Sequence, residues 1–454
     1  MYIRRQLEPI LVALAGTPLG RCLIVTGARQ TGKTTLIRHL FGQGATYVSF
    51  DEALTRTDLA SRSAAEWLNR GSSFLFDEVQ KVPDFLGTIK TMLDQGPPNL
   101  RVVLTGSAQI QLLGRVRESL AGRSVTRELF PLSVAELAGC ARPMLMRLLA
   151  STTAEEVRQV LAGLAFAALR PERLAAAREQ LGHLLSWGGM PALAQLDDPG
   201  HRWIWLEEYC STYLQRDVAD LGRVADLDLF LRFEKLAAMR TAGLLNYADL
   251  ARDADVSSIT GKKYVQYLTL SYQAFLLPPF RSRMKERLIK APRLHWLDPG
   301  VQRVLSGLRQ GLTGPQLESA VVGEVYKTCR TSAREVGLFY LRTKDGREVD
   351  LLLRLPGGGY LAWEIKAGER ATPVDARHLR DLDTLLDGPI LGRFVIYLGK
   401  EYQAWDNDTH AVPAHFLFLE DSDKEDDNDG ATIPGGPGAD LDDPGGMGGG
   451  HCPG

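Results

Sequence analysis

Gly27-Ala28-Arg29-Gln30-Thr31-Gly32-Lys33-Thr34 follows the apolar run Leu23-Ile24-Val25-Thr26 and leads into Thr35-Leu36-Ile37-Arg38. The spacing is G-x-x-x-x-G-K-[ST], and its flanks read as a strand before and a helix after. The glycines let backbone N–H groups turn inward around an anion. Lys33 brings a positive charge to the β and γ phosphates, and Thr34 offers a hydroxyl to Mg2+. The helix that follows aims its positive N-terminal end at the same anion. Residues 27–35, with Thr35 as the last of them, are therefore expected to bind ATP, or a close purine triphosphate, with magnesium.

The other half of such a site is Phe74-Leu75-Phe76-Asp77-Glu78. An apolar strand there carries two acids to its C-terminal edge, where ligands sit in open α/β sheets. Asp77 is expected to hold Mg2+, directly or through water. Glu78 is expected to orient and deprotonate the attacking water. Thr105-Gly106-Ser107 closes a further apolar strand. A hydroxyl of Thr105 or Ser107 would reach the γ-phosphate or the water, and a simple turn reads equally well. Arg123 is a candidate for stabilising transition-state charge, in its own site or a neighbouring subunit's, against the plainer reading of a surface arginine. Strands at 23–26, 46–50, 73–76, 101–105 and 125–130 alternate with helices at 34–41, 59–68 and 85–93. That order implies a parallel sheet covered by helices.

Length and composition bound the remainder. The chain has 454 residues, 44% of them hydrophobic and 24% charged, and a net charge of −2. About three domains of ordinary soluble composition fit that length. The charge excludes a global electrostatic footprint for nucleic acid or membrane, so any such contact needs a local patch. No run approaches the ~20 apolar residues of a bilayer span. The start Met1-Tyr2-Ile3-Arg4-Arg5-Gln6-Leu7-Glu8 reads as an amphipathic helix, not a signal peptide. Five scattered cysteines fit a reducing cytoplasm.

The segments 27–35, 74–80, 104–107, 119–123 and Phe130-Pro131-Leu132-Ser133 together resemble the prokaryotic AAA+ ATPases whose second half is an uncharacterised nuclease-like domain. The resemblance runs from about Tyr2 to His415. It implies an additional-strand P-loop core with strand order 5-1-4-3-2. Ser107 departs from the asparagine common there, which leaves its sensor role in doubt.

On this reading 1–140 is the AAA+ P-loop ATPase domain and 141–225 a helical linker or lid, with helices at 154–169, 171–185 and 201–221. Residues 226–300 form a winged helix-turn-helix, capped at Asn246 and Ser257. Ser258, Thr260, Lys262 and Lys263 would meet a DNA groove, and Arg281, Arg283, Lys285, Arg287, Lys290 and Arg293 would meet phosphates. Protein docking is the alternative use of such a module. Gly261 lowers the helix propensity of its second helix.

Residues 301–418 read as a C-terminal α/β domain. Glu364 and Lys366 share a strand face, and Asp350 opens a neighbouring strand, so two carboxylates and an amine can meet around Mg2+. Glu324, on the preceding helix, is a further candidate ligand, and Glu348 can substitute for Asp350. The order resembles the PD-(D/E)XK nuclease fold, either active or retained with cleavage lost. The acidic, Gly/Pro-rich tail at 419–454 is expected to be disordered. Expected partners are ATP, DNA or a protein, and further copies of the chain if Arg123 acts in trans; no membrane is expected.

Overall fold

The computed structural model describes residues 2–107, 120–167, 171–214, 226–280, 291–332 and 335–420. Ser119, the basic residues Arg281, Arg283, Lys285, Arg287 and Lys290, and residues 421–454 of the expected 419–454 tail lie outside them, as does the side chain of Ser107. Leu419, at the start of that expected tail, is instead buried in the core, and Glu420 bridges to Pro143.

The N-terminal sheet is parallel and has five strands: β1 Cys22–Gly27, β2 Thr46–Ser49, β3 Ser73–Asp77, β4 Arg101–Ser107 and β5 Val125–Glu128. Their order across the sheet is β2-β3-β4-β1-β5, the expected 5-1-4-3-2 read from the other edge. Successive side chains leave opposite faces of a strand. Leu23, Val25, Leu75 and Val103 therefore pack with Leu7, Leu11, Leu36 and Ile37. Cys22, Ile24, Phe74, Phe76, Val102 and Leu104 pack with Trp67, Phe85 and Ile89 on the other side. Both faces are covered, which is why the central strands β1, β3 and β4 read as apolar runs and not as alternating ones.

The middle of the chain is helical, as expected from 3.6-residue periodicity. Helices Ala154–Ala167 and Pro171–Trp187 are followed by Pro199–Glu208, which runs into a π-helical turn at Tyr209–Leu214. Three helices, Leu227–Met239, Tyr247–Asp253 and Ser258–Leu270, then pack together beside the antiparallel pair β6 Ala274–Leu277 and β7 Arg293–Trp296. The expected caps are in place: Asn246 accepts from the Ala248 and Asp249 amides, and Ser257 from that of Thr260. Gly261 has a packing reason, since a Cβ there would stand 3.0 Å from the Cβ of Ala251 on the neighbouring helix.

The C-terminal sheet has six strands: β8 Gly337–Arg342, β9 Glu348–Arg354, β10 Tyr360–Lys366, β11 Ile390–Tyr397, β12 Gln403–Ala404 and β13 Thr409–Pro413. Their order is β12-β13-β11-β10-β9-β8, with β10, β11 and β13 parallel and the remaining pairs antiparallel. Helix Gly314–Thr331 lies on β10. Its core is continuous with helices from the middle of the chain: Leu145, Leu161, Leu181 and Leu184 share one cluster with Leu317, Val321, Trp363 and Phe394. The segment 144–185 thus packs with the C-terminal sheet, while Met190–Cys210 belongs to the cluster around Phe233 and Trp296.

Candidate functional site

β1 delivers the phosphate loop to the C-terminal edge of the sheet. Gly27 ends the strand at φ 154°, and a Cβ on it would meet the Leu129 carbonyl oxygen at 2.1 Å. Only glycine passes there. Gln30 and Gly32 turn the loop at φ 63° and 89°, and Gly32 caps helix Lys33–Phe41. Ala28 is buried at the start of the loop, and Thr31 ties it internally, its hydroxyl donating to the Ala28 carbonyl at 2.9 Å. The Lys33 amine lies across the loop, donating to the carbonyls of Ala28 at 2.7 Å and Gly27 at 3.1 Å. Arg29 offers its carbonyl to the Tyr209 hydroxyl at 3.3 Å, and Thr35 continues the helix behind Thr34.

Asp77 is the hub of the opposite wall. It ends β3, is 4% exposed, and accepts from the hydroxyls of Thr34 at 2.8 Å, Tyr47 at 2.9 Å and Thr105. Thr34 and Asp77, assigned to one metal from sequence, are therefore in direct contact. A hydroxyl beside a carboxylate is a hard oxygen pair of the kind Mg2+ accepts alongside phosphate oxygens. Thr105 lies near the end of the fourth strand as expected, and its hydroxyl, expected to reach the γ-phosphate or the attacking water, donates to Asp77. Tyr47 was not legible as a site residue; burial, then the Asp77 charge, pushes its hydroxyl up to about 12, so it stays a donor. Glu78 follows in the left-handed region at φ 58° and accepts from the Gln80 amide. An L-residue held there carries strain of about 1–3 kcal/mol, which is common at functional turns. Ser107 is in register with Gly27, so the backbone of β4 ends beside the loop.

Arg123 lies elsewhere. It precedes β5, whose Val125 is in register with Leu23 near the start of β1, so it stands at the sheet edge away from the loop. There it pairs with Asp94 at 2.7 Å. A role in its own phosphate site does not fit this position.

Two residues that sequence reasoning missed brace the loop and the strand that leads into it. Arg5, 5% exposed, donates to the carbonyls of Thr31 at 2.8 Å and Phe130 at 2.6 Å, and pairs with Glu136 at 3.1 Å. The Tyr272 hydroxyl meets Thr26 at 3.0 Å and Glu128 at 3.1 Å. Burial and then Glu128 raise the Tyr272 hydroxyl far above its usual range.

The C-terminal acids are brought together with one replacement. Asp350 accepts from the Ile365 amide at 2.9 Å, and Lys366 donates to Glu364 at 2.6 Å. Glu324 is not with them: it accepts from the Val134 amide at 2.8 Å and pairs with Lys327 at 2.5 Å. The helix acid that faces Asp350 and Glu364 is Glu318, six residues earlier, which about 240° of helical rotation separates from Glu324. Burial, then the charge of Asp350, raises Glu318 to about 8 and Glu364 to about 7. Arg293, from β7, reaches into this group: it pairs with Glu318 at 2.6 Å, with Asp350 at 3.4 Å and with Glu348. Among the described residues no set of three His, Cys, Asp or Glu has metal-holding geometry.

Residues 20–138 match the family described as AAA domain. Residues 178–311 and 313–417 match two families, each described as a domain of unknown function, DUF8612 and DUF4143. The Uncharacterized protein Rv2008c of Mycobacterium tuberculosis and the Uncharacterized protein Mb2031c of Mycobacterium bovis are each 28% identical over 398 residues, covering 86% of this chain and 80% of theirs. Among solved structures, a point variant of RuvB from Thermotoga maritima matches at 14% identity and TM-score 0.25, covering 60% of this chain and 87% of that one. PCH-2 of C. elegans matches at 13% identity and TM-score 0.20, covering 31% of this chain and 43% of its own. Among the described residues no helix is long and apolar enough to cross a membrane. The phosphate loop, the sheet order and the match over 20–138 agree on an AAA-type nucleotide-binding domain.

Proposed function

Starting from an AAA-type nucleotide-binding domain, we propose that the chain is a Mg2+-dependent ATPase whose nucleotide state controls a winged-helix module and a nuclease-like domain acting on nucleic acid. The observation that carries the ATPase reading is the contact of Thr34 and Thr105 with Asp77 at the sheet edge where the loop ends. Lys33 binds the β and γ phosphates through the charge it now rests on loop carbonyls. Thr34 and Asp77 hold the metal, directly or through water. Bound Mg2+ supplies charge that offsets the phosphate oxygens. Glu78 orients a water and takes its proton while the water oxygen bonds to the γ-phosphorus and the bond to ADP breaks. Arg123, at the end of the sheet away from its own loop, serves this chemistry only in a neighbouring copy's site.

The nucleic-acid reading rests on the exposed start of helix Ser258–Leu270, where Ser258, Lys262 and Lys263 face solvent next to a two-stranded ribbon. A switch that docks a protein, with a C-terminal domain that does not cut, is the second reading. The guanidinium seated among the C-terminal acids favours it.

ATP binding and turnover, measured with and without single-stranded DNA, duplex DNA and RNA, test both. Lys33→Ala should lose tight ATP binding. Glu78→Gln should keep binding while turnover falls about 10²–10⁴-fold, as for loss of a general base. Wild-type turnover in Glu78→Gln would remove Glu78 as the base. Turnover that no nucleic acid changes, with no DNA shift at low salt, would sink the nucleic-acid reading.

A further inference from the structure

Four acids converge near the C-terminal end of β10: Glu318 from helix Gly314–Thr331, Glu348 and Asp350 from β9, and Glu364 from β10 itself. Glu364 is 9% exposed, and its Oε2 is buried without a hydrogen-bond partner among the described residues. Such a group of desolvated carboxylates is stabilised by retained protons or by a cation among them. Lys366 serves Glu364 Oε1. The remaining acids are served by Arg293, which is 5% exposed and stacks over the Tyr340 ring at 4.9 Å.

Arg293 does not belong to the C-terminal sheet. It opens β7, the second strand of the ribbon beside the three-helix module. The backbone holds it there: the Leu245 amide donates to the Pro292 carbonyl at 2.8 Å, and Leu244 bridges to Arg293. One side chain of the middle module thus provides the charge at the centre of the C-terminal cluster.

We propose that the Arg293 guanidinium occupies the cation position of the Glu318–Asp350–Glu364 cluster, so that the cluster becomes a divalent-metal site only when that charge is removed. A guanidinium bridging Glu318 and Asp350 does what a metal ion does there: it offsets their charge and fixes their spacing. It carries no bound water, so the plugged cluster cannot activate one. This inference rests on the nuclease-like reading for its purpose, but not for its geometry.

The test is Mn2+ binding to the full nucleotide-free chain, counted by electron paramagnetic resonance. Arg293→Met keeps the length of the side chain and removes its charge. It should gain one Mn2+ site over wild type, bound at least about tenfold more tightly than any Mn2+ in the wild-type cluster. Adding Asp350→Asn should remove that site again. If Arg293→Met is unfolded in chelator, the same proposal requires that excess Mn2+ restores its folded circular dichroism. A folded Arg293→Met with the wild-type number of Mn2+ sites overturns the proposal, and so does an unfolded one that Mn2+ does not rescue. Plasmid nicking separates the two ideas: a gained Mn2+ site without cutting sinks the nuclease reading and leaves the plug standing.

Discussion

Replacing Thr105 with valine removes one hydroxyl and leaves the side-chain shape nearly unchanged. Thr105 is fully buried, and its hydroxyl is the donor to Oδ1 of Asp77, whose Oδ2 has Thr34 and Tyr47. A hydrogen bond to a charged group contributes about 1.5–3 kcal/mol. The carboxylate is 4% exposed, so little water can replace the lost donor. For a domain of this size, that loss lowers the melting temperature by roughly 3–12 °C. Because Asp77 is also the metal-side acid, part of the same energy leaves Mg2+ binding. At about 1.4 kcal/mol per tenfold, the ceiling is a 10- to 150-fold rise in the Mg2+ needed for half-maximal turnover. Turnover at saturating Mg2+ should stay near wild type, and Thr105→Ser should restore both quantities. Mg2+ titrations of ATP turnover on the three proteins decide it. If Thr105→Val collapses turnover at saturating Mg2+ with an unchanged Mg2+ midpoint, Thr105 acts on phosphate or water and the positioning role is refuted.

Gly27→Ala should remove ATP binding and destabilise the N-terminal domain by roughly 2–6 kcal/mol, the sum of a strained φ and a forced backbone shift against Leu129. Denaturant unfolding followed by Trp67 fluorescence reads this, and a loss under about 1 kcal/mol would contradict the close approach. The C-terminal acids set a pH dependence. Glu318 is raised to about 8 and Glu364 to about 7, so the folded chain binds more protons than the unfolded one between about pH 5 and pH 8. Their contribution is full in acid and lost as pH rises through that window, at up to about 1.4 kcal/mol per pH unit per group. Glu318→Gln should flatten that slope in denaturation curves taken across it; an unchanged slope would show that Glu318 is ionised throughout.

What could be read from sequence was what local chemistry enforces. A glycine-rich turn between an apolar strand and a helix has few uses, and acids at the end of a second apolar strand complete one of them; this is why Lys33, Thr34 and Asp77 were legible. The strand order came from the resemblance, because spacing alone does not order strands. Tyr47, Arg5 and Tyr272 were not legible, because each reaches Asp77, the loop or the strand before it through tertiary contact with no local pattern. Glu318 and Glu324 show the same limit on one helix. Both are acids in an apolar stretch, and only the rotation of the helix against β10 decides which one meets Asp350. The two short strands β12 and β13 escaped notice for a similar reason: β12 has two residues and no period to detect.

Helix Gly314–Thr331 also bears on the N-terminal sheet. Glu324 takes the Val134 amide, Lys327 donates to the Leu132 carbonyl at 3.3 Å, and Arg330 pairs with Glu128 at 2.7 Å. Phe130 lies edge-on against Tyr272 and Tyr326. β5 is an outer strand of its sheet, with one flank free of strand partners among the described residues. Outer strands invite pairing with other chains unless something covers them. Here the cover is supplied from far downstream in the chain. The open flank of the first sheet is therefore closed by side chains from the second half of the chain, so loosening helix Gly314–Thr331 would bare a strand edge in the first.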